Sequence, residues 1–391
     1  MSDLKYSYLA QVGIFSIGDT SLSHTPGMEC TTFLAKEIHL LPKINQRNLI
    51  KFNSQILQGL YYGVVDTPTT RQLTSKLAHL EKGQFSILTP SGQSAINLLL
   101  LSLLKPGDHI LAVDTIIYST RWLFNHCQHM GIRVDYFIPK DTATLATKLK
   151  PETKFVFIES PGAITYELIN IRTAVDQCSN HQALIIADNT WAASSFHHPL
   201  EMGADISLIS MSKMHAAIEG ISLGALITQQ KDLFAKIKTT SALIGNHVSS
   251  HTCAAALRAL STLGSRLSFQ MSTTRRVIGH LKTCALCKKI LHPTVQNTED
   301  ILRDHKIHGF NSLLTLELSC SPDELMKRIN RLRLIKIGYG WGGSTSLVNI
   351  AETIHLPSAM RFSLSNSCIR LYLGLEDPNE IIKDLDNMLR I

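Results

Sequence analysis

Charged and aromatic side chains are both scarce in this chain of 391 residues, at 18% and 6% of the sequence, whereas hydrophobic residues make up 44%. So few charges exclude a disordered or strongly charged protein, and the apolar fraction is sufficient to bury at least one complete core. A net charge of +7 without a long Lys or Arg run disfavours a nucleic-acid-binding arm, although it suits a pocket for an anionic ligand.

Long apolar runs and closely spaced cysteines are missing as well. The longest charge-free apolar stretch, 91–104, holds about fourteen residues, whereas a membrane-spanning helix needs about twenty. Charges in the N-terminal MSDLKYSYLAQ disfavour an export signal, and eight irregularly spaced cysteines are too few for a disulfide scaffold. We therefore expect a cytoplasmic protein. The CxxC motif at Cys284 and Cys287 lacks two further ligands at a suitable spacing, so we expect packing there and no metal.

Seven short apolar runs alternate with helical patterns, and apolar residues occupy both faces of each run. Such runs are typical of strands covered on both sides, as in a parallel sheet. Two of the helices between them have predicted starts near Asp141 and Thr173. The alternation predicts a doubly wound, mostly parallel α/β domain. The predicted strands are 85–90, 109–113, 133–138, 154–159, 183–188, 206–210 and 223–228.

The pattern divides the chain into three parts. Residues 1–62 contain turn signals without strand alternation, so we predict an irregular arm with short helices. Residues 63–255 hold the seven runs and form the predicted large domain. Residues 256–391 form a predicted smaller α/β domain with strands at 312–318 and 368–374, and a long helix near 255–280 connects it to the large one.

Three segments that follow predicted strands carry candidate functional groups. The segment 91–94 (SGQS) opens an apolar helix, whose free N–H groups and dipole suit a phosphate, although most such turns bind nothing. Asp188 ends a strand where open α/β sheets bind ligands, and it could bind a metal, cap a helix or pair with a protonated ring nitrogen. Lys213 follows the next strand with hydroxyls before it, and it is either solvated or an amine that forms a Schiff base.

These three features match one cofactor. A phosphate cradle, a carboxylate for a pyridinium nitrogen and a lysine for an aldehyde are what pyridoxal phosphate requires. Four stretches make the match more specific, and the pattern LSTLGSRL at 260–267 fits it too. The four are FIESPGAIT (157–165), IIADNTWAAS (185–194), YGWGGSTSL (339–347) and IRLYLGLED (369–377).

In these stretches the chain resembles the Cys/Met-metabolism family of pyridoxal-phosphate enzymes, and within it the bacterial cystathionine β-lyases. The resemblance runs from about residue 60 to the C-terminus. It implies the aspartate aminotransferase-like fold (fold type I), in which a large doubly wound sheet domain, here 63–255, binds the cofactor. A smaller C-terminal α/β domain completes that fold.

The resemblance also implies a role for each matching residue. Lys213 would form the Schiff base with pyridoxal 5'-phosphate and shuttle the proton, Asp188 would keep the pyridine nitrogen protonated, and Tyr118 would stack on the ring. The implied phosphate cup comprises the N–H groups of Gly92 and Gln93 and the hydroxyls of Ser210 and Ser212. The implied substrate residues are Arg370 for the α-carboxylate, Tyr62 from a neighbouring subunit, and Tyr339 and Trp341 of the β-lyase YxWGG segment.

The implied reaction is a β-elimination on a sulfur amino acid. From cystathionine it would give homocysteine, pyruvate and ammonia, a step of transsulfuration and methionine biosynthesis. The implied assembly is a homotetramer built from two dimers. A γ-synthase, a γ-lyase, a cysteine-conjugate β-lyase and a degenerate, non-catalytic family member are the alternatives. Pyruvate rather than 2-oxobutyrate as product would separate β- from γ-elimination.

The chain departs from the family pattern at three places. Val64 replaces the arginine that reaches the cofactor phosphate across the subunit interface, and losing such a charge-assisted pair weakens binding about ten- to a hundredfold. Arg71 is a candidate substitute. The segment 214–220 (MHAAIEG) replaces the Tyr-x-x-Gly-His-Ser-Asp pattern after the lysine, and Gly340 replaces a serine. Whether these departures alter cofactor retention and turnover is left open by the sequence.

Overall fold

A computed structural model describes residues 15–17, 20–22, 63, 65–351 and 357–390 of the chain. The first two strands, β1 (Phe15–Ile17) and β2 (Thr20–Leu22), pair antiparallel within the N-terminal arm. The predicted irregular arm with short helices did not include these two strands, because runs of three residues are too short to show an alternating pattern. The rest of the arm lies outside the described residues.

The large sheet has seven strands, and all seven match predicted runs. They lie in the order β3-β9-β8-β7-β6-β4-β5, and every pair is parallel except those that β9 makes with β3 and β8. The strands are β3 (Phe85–Thr89), β4 (His109–Val113), β5 (Arg133–Phe137), β6 (Thr153–Glu159), β7 (Leu184–Asp188), β8 (Ile206–Ser210) and β9 (Gly224–Thr228).

Helices connect these strands, and two of their predicted starts need correction. Asn170, not Thr173, caps the helix before β7, because its side chain accepts a hydrogen bond from the Thr173 N–H. Asp141 lies inside a 3-10 helix, Pro139–Lys148, that is kinked at Thr144. The α-helices of this part are α1 (Pro68–Leu80), α2 (Gly92–Leu103), α3 (Tyr118–Cys127), α4 (Ile171–Cys178) and α5 (Lys231–Leu243).

Two consecutive helices lead to the second sheet. The long helix predicted near 255–280 is interrupted at Thr262, where ψ is 0°, and so consists of α6 (Ser250–Ser261) and α7 (Leu263–Leu281). The predicted domain boundary at 255/256 falls inside α6, and the division into domains stays a prediction. Five further helices follow: α8 (Pro293–Gln296), α9 (Glu299–Asp304), α10 (Pro322–Ile329), α11 (Pro357–Arg361) and α12 (Pro378–Leu389).

The second sheet has five strands in the order β10-β11-β14-β13-β12, and only β12 and β13 pair in parallel. Its two central predicted strands, 312–318 and 368–374, are confirmed as β11 and β14. The strands are β10 (Cys287–Leu291), β11 (Leu313–Leu318), β12 (Lys336–Ile337), β13 (Leu347–Ile350) and β14 (Cys368–Tyr372).

The parallel strands of the large sheet bring polar residues together at one edge. Every residue of β4 and β9 is buried, so the sheet interior offers no room for solvated groups. Glu159 and Asp188 end β6 and β7 and are register partners, and Ser210 ends β8. This edge is where an open α/β sheet binds ligands.

Within the described parts of the chain, no helix combines the length and apolar character that crossing a membrane requires.

Candidate active site

One cavity of about 390 Å³ lies at this edge of the large sheet. All the predicted site residues except Tyr62 line it, although they come from six different segments of the chain. Tyr62 lies outside the described residues. The residues brought together are Gly92, Gln93, Tyr118, Asp188, Ser210, Ser212, Lys213, Tyr339, Trp341 and Arg370.

The start of α2 forms one wall of the cavity and presents hydrogen-bond donors. The Ser91 hydroxyl caps the helix by accepting from the Ser94 N–H at 3.0 Å, whereas the N–H groups of Gly92 and Gln93 have no acceptor within the helix. Ser210 ends β8 and Ser212 lies two residues further on, and their Oγ atoms are 3.0 Å apart. Two N–H groups and two hydroxyls therefore converge where the positive end of the helix dipole points.

Only glycine fits at position 92. A Cβ there would lie 2.6 Å from Ser210 Cβ and 2.8 Å from Ser210 Oγ, so any side chain would push the hydroxyl away from the helix start. Gly224 on β9 is equally constrained, because its Cβ would lie 2.3 Å from the carbonyl oxygen of Ser91. The donors are close enough to share one anion because both positions lack a side chain.

Two carboxylates lie side by side at the strand ends, and their surroundings differ. Burial raises the pKa of Asp188, but the Thr190 N–H and hydroxyl donate to its Oδ1 at 3.0 and 2.6 Å, and the charge of Lys213 also favours the anion. Burial and the charge of Asp188 raise the pKa of Glu159 well above its usual range, opposed only by the Ile117 N–H. Of the two carboxyl groups, Asp188 therefore has the surroundings that better stabilise the anion, and Glu159 is the more readily protonated.

Lys213 follows β8 and lies between a cation and an anion. Burial and the positive charge of Arg370 lower the pKa of Lys213, whereas Asp188 raises it. A lysine whose pKa is lowered in this way keeps more of its amine unprotonated, and an unprotonated amine can attack a carbonyl or accept a proton.

Close backbone contacts hold the segment of Tyr339 and Trp341 against the lysine. Gly342 has φ +101°, and a Cβ on it would lie 2.4 Å from the carbonyl carbon of Lys213. The Tyr372 hydroxyl donates to the Gly343 carbonyl at 2.6 Å and fixes the next residue. The segment consequently places Tyr339 and Trp341 on the cavity wall.

Arg370 and Tyr118 reach the cavity from different parts of the fold. Arg370 lies on β14, the central strand of the second sheet, in register with Thr315 on β11 and Asn349 on β13. Tyr118 begins α3, and its ring centroid lies 5.0 Å from that of Trp122. The cavity thus needs both sheets, since its lysine and carboxylates come from the first and its arginine from the second.

The first three residues of the segment after the lysine, which departs from the family pattern, are buried, whereas residues 218–220 are exposed. Met214, His215 and Ala216 are fully buried, and Arg266 donates to the carbonyls of Met214 and His215 at 2.8 and 3.4 Å. His215 Nε2 lies 2.6 Å from Ser194 Oγ. The buried part of the segment therefore packs against Arg266 and Ser194. The other departure from the family pattern, Val64, lies outside the described residues.

Other residues of the site were not identified from the sequence. Glu159 and Thr190 line the cavity, and the position of Glu159 at the end of a predicted strand was a usable signal. Trp191 is 6% exposed within the core but also lines the cavity. The candidate substitute Arg71 binds Asp66, with Nε 2.7 Å from Oδ2.

The residues present fit pyridoxal phosphate. The glycine-dependent cradle offers four donors to a phosphate, Asp188 with its hydrogen bonds from Thr190 suits a protonated ring nitrogen, and Lys213 lies on the same cavity. Fold and site together define a pyridoxal-phosphate enzyme of the doubly wound α/β type.

Comparisons with known proteins agree. The family model for Cys/Met metabolism PLP-dependent enzymes matches residues 20–390, so the chain belongs to this family of carbon–sulfur lyases and synthases. The chain is 29% identical to a protein of Wolbachia pipientis wMel named L-alanine/L-glutamate racemase, over 86% of this chain and 84% of that protein. It is also 29% identical to a cystathionine beta-lyase of Bordetella avium, over 84% and 83%.

A solved structure shows the same fold. The cystathionine gamma-lyase of Lactobacillus plantarum, complexed with L-serine, superimposes with a TM-score of 0.85 at 23% identity and covers 98% of both chains. The predicted fold class is thereby confirmed, and the family-model match confirms the predicted family and its cofactor.

Proposed function

We propose that this enzyme is a carbon–sulfur β-lyase that acts on cystathionine or a similar sulfur amino acid. The observation that carries the proposal is that Lys213, Asp188 and Arg370 line one cavity with the four-donor cradle. The segment with Tyr339 and Trp341 lies on the same wall, and its YxWGG sequence is typical of the β-lyase branch of the family.

Each group would perform the step that its surroundings allow. Arg370 would bind the substrate α-carboxylate through two parallel N–H···O bonds, which lysine cannot make. Lys213 would hold the cofactor aldehyde and then, once released as a neutral amine, take the Cα proton. Its lowered pKa favours that role, because a base must be unprotonated near neutral pH.

Asp188 would hold a proton on the ring nitrogen, and Glu159 would remain neutral beside it. Pyridoxal phosphate bound here supplies an aldehyde for the substrate amine and a ring that delocalises the negative charge left at Cα. The overall reaction cleaves the Cβ–S bond of cystathionine, consumes one water and gives homocysteine, pyruvate and ammonia.

Amino-acid racemisation is a second candidate, favoured by the relative named L-alanine/L-glutamate racemase. It needs the same loss of the Cα proton to Lys213, followed by delivery of a proton to the opposite face of Cα by a second group and not by loss of a thiolate. A β-lyase and a racemase would therefore share these residues and differ in product.

The assembly and location belong to the same proposal. We expect a homo-oligomer of the dimer-of-dimers type in the cytoplasm, in which Tyr62 of a neighbouring subunit completes each site. The family pattern of the YYG segment at 61–63 supports this arrangement.

Product analysis tests the function. The holoenzyme is incubated separately with L-cystathionine and L-alanine, and pyruvate, 2-oxobutyrate and D-alanine are measured, with Lys213→Ala as control. Pyruvate from cystathionine supports the β-lyase, 2-oxobutyrate indicates γ-elimination, and D-alanine alone indicates a racemase. A holoenzyme that forms none of the three would contradict the proposal and indicate a non-catalytic family member.

A further inference from the structure

A second, smaller cavity adjoins the active site. It has a volume of about 110 Å³ and shares Tyr118, Ile164, Tyr339 and Arg370 with the larger cavity. We call it the side cavity. A space of this size holds several waters, and hence a short group at the end of a substrate side chain. Because the side cavity lies beside Arg370, the side chain of a substrate whose α-carboxylate is bound by Arg370 could extend into it.

The charges of the side cavity have one sign. Arg121 and Arg370 line it, and among its described lining residues none is acidic. Arg121 is held by a hydrogen bond from Nη2 to the Asp114 carbonyl at 2.6 Å, and its guanidinium lies 4.0 Å from the Tyr136 ring centroid. Its buried Nε has no hydrogen-bond partner.

An amide without a partner also faces the side cavity. Asn349 is only 9% exposed, and its buried Oδ1 has no hydrogen-bond partner. Leaving a buried polar atom unpaired is costly, so such an atom needs an explanation, and a ligand is one. Rotation about the Cβ–Cγ bond would present either the oxygen or the NH2 group to that ligand.

We infer that the side cavity binds the end of the substrate side chain and selects amino acids whose side chain ends in a carboxylate. Asn349 would donate to this carboxylate, and Arg121 would supply a second positive charge near it. Apolar residues such as Trp122 and Ile350 form the remaining walls and fit the methylene groups before the carboxylate. The inference rests on the proposed function, because it concerns the substrate of the same site.

Paired substrates test this selection. S-(2-carboxyethyl)-L-cysteine and S-propyl-L-cysteine differ mainly in the terminal carboxylate, and their kcat/KM ratio for pyruvate formation measures the preference. We expect a ratio of at least about ten in the wild type, because the free energy of one charge-assisted hydrogen bond corresponds to a factor of about that size. Asn349→Leu should lower the ratio about tenfold, and the isosteric Asn349→Asp should lower it further, because it places a like charge beside the carboxylate.

Thr315→Val is the matched control. Thr315 is fully buried and lies beside Arg370 on the opposite strand, but it does not line the side cavity. The Thr315→Val substitution should leave the kcat/KM ratio of the two substrates unchanged. A wild-type ratio near one, unchanged ratios in both Asn349 variants, or an equal loss in Thr315→Val would each overturn the inference.

A binding measurement separates this inference from the proposed function. L-glutamate and L-glutamine carry no leaving group on Cβ, so calorimetry with the holoenzyme measures selection even if no pyruvate forms from any substrate. We expect at least about tenfold tighter binding of glutamate, lost in Asn349→Asp. Equal affinities for the two amino acids would overturn the inference whatever the reaction proves to be.

Discussion

At the scale of single residues, the surroundings of the two adjacent carboxyl groups favour different protonation states. Asp188 receives two hydrogen bonds from Thr190 and lies near Lys213, whereas Glu159 receives one hydrogen bond, from Ile117. Under the same burial, the surroundings of Asp188 therefore favour the ionised form more than those of Glu159 do. Only the ionised group can hold a ring nitrogen in its protonated form.

Matched substitutions test this assignment. We expect Asp188→Asn to lower kcat by at least about a hundredfold, because the charge that stabilises the reacting state is lost. Glu159→Gln resembles the protonated acid and should keep kcat within about threefold of the wild type. Steady-state pyruvate formation at saturating cofactor measures both. The assignment is wrong if Glu159→Gln is the more damaging change.

The sequence identified those site residues whose charged side chains are unusual at the end of a buried, apolar strand. Asp188 and Lys213 each follow a buried strand, and the family resemblance then added Tyr118 and Arg370. The cavity confirms that these four are neighbours, while their roles stay predictions. Thr190 and Asn349 could not be recognised, because nothing in a sequence tells which hydroxyl lies next to a carboxylate or which amide lacks a partner.

At the scale of elements, the junction between β3 and α2 makes the anion cradle. Gly92 lets the start of the helix approach Ser210, and Gly224 lets β9 approach the same turn. A strand-turn-helix pattern predicted this junction from the sequence. The close contact with two strands distant in the chain is a tertiary feature that local pattern does not contain.

Substituting Gly92 tests the cradle. Gly92→Ala should weaken pyridoxal phosphate binding at least about tenfold, because its Cβ would displace the Ser210 hydroxyl and one donor is lost. Gly279→Ala is the control, since a Cβ in that helix would meet nothing within 4 Å, and it should stabilise the fold by about 0.5–1 kcal/mol. Cofactor titration of the apoenzyme, followed by absorbance, measures the affinity. Equal affinities in the two variants would contradict the proposed cradle.

Strands were more predictable than helices in this chain. The large-sheet runs are short, apolar on both faces and bounded by turns, and each became a strand. The helix boundaries were less certain because they depend on single hydrogen bonds, such as the one that Asn170 accepts. The hairpin of β1 and β2 was missed since its strands are only three residues long.

At the scale of the whole molecule, an ion-pair cluster joins the end of the chain to the large sheet. Arg361 in α11 forms ion pairs with Asp114, which follows β4, and with Glu167, its Nη2 lying 3.0 Å from Glu167 Oε2. Glu167 is linked to Gly162 on the cavity wall by a backbone hydrogen bond of 2.9 Å. The cluster thus helps to hold the second sheet, with Arg370, over the cavity.

The stability of the whole molecule should depend on pH through His215. Burial lowers the pKa of His215 to about 3, so between that value and about 6.5 the unfolded chain binds a proton that the folded chain does not. The contribution of His215 to the free energy of unfolding therefore falls as the pH falls through this range. Relative to His215→Gln, the wild type should lose about 2 kcal/mol between pH 7 and pH 5.

Urea denaturation of both proteins at the two pH values measures this difference. His129→Gln, which alters an exposed histidine, is the control. If the difference between the wild type and His215→Gln stays constant from pH 7 to pH 5, then His215 is not buried in its neutral form.

The central claim is that Lys213 binds the cofactor in the cavity that both sheets form. The holoenzyme is reduced with borohydride, digested and mapped by mass spectrometry, with Lys213→Arg treated in parallel. We predict a yellow protein whose label lies on the peptide that contains Lys213, and no label at the corresponding position of the variant. A label on a different lysine, or a protein that stays colourless and unlabelled in excess cofactor, would contradict the account.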